Sequence, residues 1–155
     1  MLSVTHATAG AYIATLFPNP LIYIPAGVAL HYLGDSVPHW DAGVLPHHRS
    51  RTALIIAGSI DLLLAGLLVF FLFQKTIPHS WAGINYHAWF GAGAGILPDV
   101  IEIPHSIFGL QPKFLQPFFK IHNRVHRKTT NFIWGIIPQI LIIGSIIWLT
   151  NRFGY

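Results

Sequence analysis

The chain has 155 residues, of which 53% are hydrophobic, 14% aromatic and only 9% charged. A soluble domain carries about 25% charged residues. This composition therefore excludes a disordered chain and leaves too little polar surface to coat a soluble globule, so a small integral membrane protein remains. Nine Lys+Arg against five Asp+Glu give a net charge of +4. The excess sits mostly in two loops, which points to membrane topology or lipid phosphate and not to nucleic acid.

The N-terminus has no Lys or Arg between Met1 and Thr15, so it lacks the positive region of a signal peptide and is read as part of the mature fold. Five apolar stretches follow. The first, Ala7 to Phe17, is too short to span and reads as a half-helix or re-entrant segment. Pro18-Asn19-Pro20 breaks it. The second, Leu21 to Val37, is just long enough to span. The third, Thr52 to Gln74, is the clearest transmembrane helix, interrupted only by Asp61. The fourth, Trp81 to Leu97, carries GAGAG at Gly91 to Gly95, which allows close helix approach. The fifth, Asn131 to Thr150, is Ile-rich with no ionisable residue and is expected to face lipid, with Pro138 kinking it. Phe118 to Thr130 carries four positive charges and reads as an amphipathic helix on the membrane surface.

The expectation is an all-α integral membrane protein. It is a single domain over residues 1–155: a compact bundle of about four transmembrane helices, a short N-terminal half-helix and a surface amphipathic helix. Seven positive charges (Arg49, Arg51, Lys113, Lys120, Arg124, Arg127, Lys128) fall on one side and two (Lys75, Arg152) on the other. The positive-inside rule puts the seven in the cytoplasm of a multi-pass plasma-membrane protein. Trp40, Trp81 and Trp148 lie at stretch ends, where interfacial aromatics belong.

Ten His and no Cys are the second unusual feature. Without thiols, disulfides and iron–sulfur clusters are excluded, and any metal is held by imidazole and carboxylate. Spacing of four puts His31 and Asp35 on one helical face, and His39 and Asp41 follow the turn at Pro38. Asp99, Glu102 and His105 lie just past the fourth stretch; Asp99 after Pro98 also reads as an N-cap. His122 and His126 have the spacing of a zinc-binding helix, or form the solvated face of an amphipathic one. His6 opens the first half-helix. Alternating helices bring all of these to one membrane face. Asp61 and His87 each lie about 15 Å into a helix and could meet inside the bundle, where a buried Asp needs a partner. His47, His48 and His79 read as loop residues.

THATAG (Thr5–Gly10), ALHYLGDSVPHWD (Ala29–Asp41), SIDLLLAG (Ser59–Gly66), GILPDVIE (Gly95–Glu102) and IHNRVHRKT (Ile121–Thr129) together resemble the YdjM-like membrane-bound metal-dependent hydrolases of the inner membrane. The matches spread over about 120 residues in the family's order. The resemblance implies a multi-helix membrane fold with a His/Asp metal centre and hydrolase activity. By motif it maps onto His6, His31, Asp35, His39, Asp99, His122 and His126. The chain departs from the family at PDVIEIPH, where Pro-Asp-Ile-Asp-His is common, and at Thr129–Asn131, where Thr-His-Ser is common.

The leading expectation is a zinc-type hydrolase at the cytoplasmic membrane face, with Mn or Fe as other metals the ligands accept. The ligand candidates are His6, His31, Asp35, His39, Asp61, His87, Asp99, His122 and His126, enough for two metals about 3.5–4 Å apart, and bound metal lowers the pKa of water towards about 7. Glu102 or Asp41 is the general base. Arg124 and Arg127, with Lys128, bind an anionic group, so a phosphoester, such as a phospholipid headgroup, fits better than a peptide; topology alone also explains those cations. The alternatives are a metal-binding or ion-transporting protein using Asp61 and His87, a bis-His haem held by His31 and His87, and a purely structural metal.

Overall fold

The computed structural model describes residues 1–41, 50–74 and 83–153. His47, His48, His79, Arg49, Lys75 and Trp81 lie outside the described residues. The described residues form six α-helices and one 3-10 turn.

Helix α1 (Ser3–Leu16) ends where Pro18 and Pro20 forbid continuation. Asn19 then caps α2 (Pro20–Asp35), its side chain accepting from the Leu21 N–H at 3.0 Å with Pro20 in the first turn. Ser50 caps α3 (Arg51–Phe73) by accepting from the Ala53 N–H at 3.2 Å. Asn85 caps α4 (Tyr86–Phe108) at the Ala88 N–H, and Gly109 closes it in the left-handed region at φ 70°. A 3-10 turn at Lys113–Leu115 leads into α5 (Gln116–Val125). In α6 (Phe132–Phe153), Asn131 accepts from the Trp134 N–H at 3.1 Å.

The main departure from the sequence reading is α4. It starts five residues later than the fourth apolar stretch and runs eleven further, through Pro98 and Pro104. Each proline removes one backbone bond, and neighbouring helices let the rest of the helix continue. Asp99, Glu102 and His105 are therefore interior helical residues; Asp99 is not an N-cap, and none of the three sits in a loop.

Short as it is, α1 is the hub of the bundle and packs against α2, α3, α4 and α6. Small residues make that possible. A Cβ added at Gly91 would overlap the Gly10 carbonyl, and one at Gly95 the His6 carbonyl, so α1 and α4 meet backbone to backbone. Much of the core is correspondingly small: Ala7, Ala11, Ala65, Ala88 and Ala92 with Val69, Phe73 and Ile146. Many of the large apolar side chains point outward, among them Ile55, Leu63, Phe70 and Phe71 on α3 and Ile133, Trp134, Leu141 and Trp148 on α6. Two helices, α3 and α6, are long and apolar enough to cross a membrane, and only 11% and 17% of their apolar windows are buried. The core helix of a soluble protein is mostly buried.

Although α6 faces outward along most of its length, Gln139 is buried in it. Its side-chain oxygen accepts from the Leu2 N–H at 2.9 Å and the Thr5 hydroxyl at 3.3 Å, and its amide donates to the Trp40 and Gly135 carbonyls. One amide thus ties the start of α1, the chain after α2 and the start of α6 together. Sequence reasoning overlooked it; a lone amide in an Ile-rich helix was the available signal.

Candidate metal centre

Asp35, the last residue of α2, is fully buried and sits among five imidazoles. Its Oδ1 faces His6 Nε2 at 3.1 Å and His39 Nε2 at 3.6 Å, and also contacts the Met1 amine. Its Oδ2 faces His31 Nε2 at 3.3 Å, with His122 and His126 Nε2 each at 3.8 Å. From α4, Asp99 Oδ1 lies 3.7 Å from His31 Nε2 and 3.8 Å from His122 Nε2, while Glu102 Oε2 lies 3.2 Å from His122 Nε2. Asp41 Oδ2 lies 3.2 Å from His126 Nε2 and 3.3 Å from Lys128 Nζ.

The segments that meet here are held by backbone. The His39 N–H donates to the Arg127 carbonyl, the Arg127 N–H to the Asp35 carbonyl and the Thr129 N–H to the His39 carbonyl, at 2.8–3.1 Å. This strap lays the α5–α6 connection along the end of α2, and brings His126 Nε2 to 2.7 Å from His39 Nε2.

Three groups of side chains place one ligand atom each within 4.8 Å of one another: His31, Asp35, Asp99 and His122; Asp35, His39 and His126; Glu102, His122 and His126. Such groups could hold a metal ion. Three observations fit that chemistry. At zinc bond lengths of about 2.0–2.1 Å, the edge of a ligand tetrahedron is about 3.3–3.4 Å, and the ligand atoms of the first group lie 3.3–3.8 Å apart along its four His–carboxylate edges. His31 Nδ1–H donates to the Gly95 carbonyl at 2.9 Å and His39 Nδ1–H to the Val37 carbonyl at 2.8 Å; both then present the Nε2 lone pair to the cluster, as metal-binding histidines do. His31 Nε2 and Asp35 Oδ2 are buried without a hydrogen-bond partner, an expensive condition that a cation relieves.

The electrostatics agree. Burial, helped by the Met1 ammonium, pushes the His39 imidazole down to about 4. Burial and the neighbouring His126 push His122 down to about 4. Both are therefore neutral and ligand-ready at pH 7. Burial raises Asp41, but the hydrogen bond from His126 and the Lys128 charge outweigh it and hold the carboxyl below its ordinary range.

Nine predicted residues thus converge: His6, His31, Asp35, His39, Asp41, Asp99, Glu102, His122 and His126. His6 stacks on His31 and bonds Asp35 but belongs to none of the three ligand groups. Others do not arrive. Asp61 does not meet His87: its carboxylate accepts from the Ser3 and Val4 N–H groups at 2.6 and 3.1 Å, satisfying orphan donors of the first turn of α1. His87 lies at the opposite end of α4, against Tyr23 and Tyr86. Neither belongs to a ligand group. The haem pairing fails as well, because His31 sits at Gly95, about 12 Å along α4 from His87. His105 stacks on Phe119 and bonds Gln111, away from Asp99. Arg124 lines a separate pocket with His105 and Lys120, and Arg127 contributes its backbone to the strap. Besides the Met1 amine, the cation beside the cluster is the Lys128 side chain.

Beside Asp41, Asp99, Glu102, His126 and Lys128 opens a cavity of about 230 Å³ between α3 and α4. Comparison with protein-family models, curated proteins and solved structures finds no match to this chain.

Proposed function

We propose that the chain is a multi-pass membrane protein whose His/Asp cluster binds zinc-type metal and hydrolyses phosphoesters at the cytoplasmic membrane face, in keeping with its resemblance to the YdjM-like hydrolases. The observation that carries the reading is Asp35. This one buried carboxylate belongs to two of the three ligand groups, with Oδ1 nearest His6 and His39 and Oδ2 nearest His31, His122 and His126, so the residues present would suit one or two ions. His31, Asp99 and His122 complete one ligand set, and His39 and His126 the other. Imidazole and carboxylate without thiolate suit zinc, manganese and iron, with zinc favoured by His–carboxylate spacings close to the edge of a zinc tetrahedron.

Bound metal supplies Lewis acidity at a phosphoryl oxygen and lowers the pKa of water to about 7. The chain's own residues do the rest. Glu102 reaches both the cluster and the cavity and takes the proton of the attacking water. Lys128, anchored by Asp41, binds an anionic oxygen of the substrate. His6 holds Asp35 in its rotamer.

Membrane insertion is supported by the outward-facing apolar faces. Besides α3 and α6, α2 exposes Leu21, Ile24 and Leu33, and α4 exposes Trp89, Phe90 and Leu97, giving four spans around α1. The strap places Arg127 and Lys128 at the metal end, and the positive-inside rule then makes that end cytoplasmic.

The test is elemental analysis of purified wild type, Asp35→Ala and Asp99→Ala, with turnover of p-nitrophenyl phosphate. Wild type is expected to hold about one or two ions per chain, Asp35→Ala almost none, and metal content and turnover are expected to fall together. Wild-type protein free of stoichiometric transition metal, even after zinc loading, overturns the reading.

A further inference from the structure

The cavity beside the metal centre does not end there. A second cavity of about 210 Å³ lies further along the same two helices, reaching Val69 on α3 and Trp89 on α4 with Ala7 of α1 beneath it. Leu62 and Ile96 line both cavities, so they form one groove between α3 and α4. Its near end is polar, at Glu102 and Lys128; Asp61, whose carboxylate is taken up by the N–H groups of α1, borders it beside Ser3, and most of the remaining wall is apolar. From Leu54 to Val69 it follows α3 for about 22 Å, more than the roughly 15 Å of hydrocarbon in one leaflet.

Glycines keep this groove open. Gly58 lines the first cavity, and Gly66 and Gly93 the second. A Cβ added at any of them would meet nothing within 4 Å, so no neighbouring helix requires them. That contrasts with Gly91 and Gly95, which α1 packs against. A helix-interior glycine destabilises the helix relative to alanine, and no contact among the described residues explains three along one groove.

We propose that the groove holds an acyl chain of an anionic phospholipid whose phosphate lies at the metal centre. This rests on the hydrolase reading and names its substrate class. The chemistry of the two ends selects the occupant. Lys128, half-exposed at the mouth, and the cation-binding cluster call for an anion, and the apolar groove calls for a hydrocarbon tail joined to it. A helix, about 10 Å across, is too wide for cavities of about 210 and 230 Å³. With phosphatidic acid as substrate, water attacks phosphorus and the P–O bond to the glycerol breaks. The leaving alkoxide takes up a proton, giving diacylglycerol and inorganic phosphate.

The test uses the full chain in lipid nanodiscs containing phosphatidic acid with a diazirine at the end of one acyl chain. Three proteins are compared: wild type, Gly66→Leu/Gly93→Leu, and Gly144→Leu. Gly144 also has nothing within 4 Å but lies on α6, outside the groove, so it controls for a leucine on an open helix face. Photo-crosslinks are expected to concentrate on residues 62–69 and 89–96 in wild type and Gly144→Leu, and to disappear in the double variant. Hydrolysis of phosphatidic acid is expected to fall about tenfold or more in the double variant, because several methylenes lose their burial, with p-nitrophenyl phosphate turnover unchanged. Crosslinks spread evenly over the outward faces of α3 and α6, or unaffected by the double substitution, overturn the groove even if p-nitrophenyl phosphate is still cleaved. Groove crosslinks without turnover of either substrate confirm the lipid site and overturn the hydrolase reading.

Discussion

In the proposed reaction Asp35 and Glu102 divide the work of the cluster between holding and reacting. Asp35 is fully buried and central, so its loss removes a ligand common to two groups. Glu102 is at the rim, facing the cavity. Glu102→Gln is therefore expected to retain metal while turnover falls about 10²–10⁴-fold; equal loss of metal and activity would make Glu102 a ligand and not the base. The sequence made most of this cluster legible, because His31 and Asp35 lie one helical turn apart and Pro38 forces the chain to turn before His39. It misled on the cations. Arg124 and Arg127 flank His126, but Arg124 lines a separate pocket and Arg127 meets the cluster through its backbone, which leaves Lys128 at the cavity. It misled on Asp61 too, since depth within a helix says nothing about azimuth. A carboxylate on an apolar helix needs some partner, and the first turn of α1 supplied two N–H groups in place of an imidazole.

Helices α1 and α4 are joined through glycine, and the His/Asp cluster depends on that joint. Gly95 underlies His6 and accepts from His31 through its carbonyl. Gly95→Leu would force α1 away from α4, displacing His6 and His31 together. Overpacking a tight contact costs about 1–3 kcal/mol, so the variant is expected to melt earlier than wild type and to bind less zinc in titration. Gly144→Leu, in open space, is expected to do neither. An unchanged melting temperature in Gly95→Leu would mean that the backbone-to-backbone contact is absent. Sequence composition pointed to close approach at GAGAG but could not name the partner helix, since any helix bearing small residues serves. It also ended α4 too soon. Pro98 reads as a terminator in isolation, whereas in the bundle the packed turns on either side carry the helix past it and place Asp99 and Glu102 on the side that meets α2 and α5.

Across the whole molecule, small residues and polar side chains fill much of the interior while many large apolar side chains lie outside. In water that distribution leaves a bundle with little apolar burial per residue; in a bilayer the outer faces are solvated by lipid, and cohesion must come from packing and from buried polar links. Gln139 is one such link and the His/Asp cluster is the other. The cluster draws side chains from α2, from the chain after it, from α4 and from the α5 segment, so an ion bound there would crosslink parts of the chain that α1 alone does not hold. Metal binding by the folded state alone stabilises it by RT ln(1 + [L]/Kd), about 2.7 kcal/mol at a hundredfold excess over Kd. For a chain of this length that is roughly 5–10 °C in Tm. Zinc-loaded protein in detergent is therefore expected to melt about 5–10 °C above chelator-treated protein, and the difference is expected to vanish in Asp35→Ala while persisting in Glu102→Gln. Equal melting temperatures with and without zinc would show that the buried Asp35 and its imidazoles are held by their mutual hydrogen bonds, with no ion contributing to the fold.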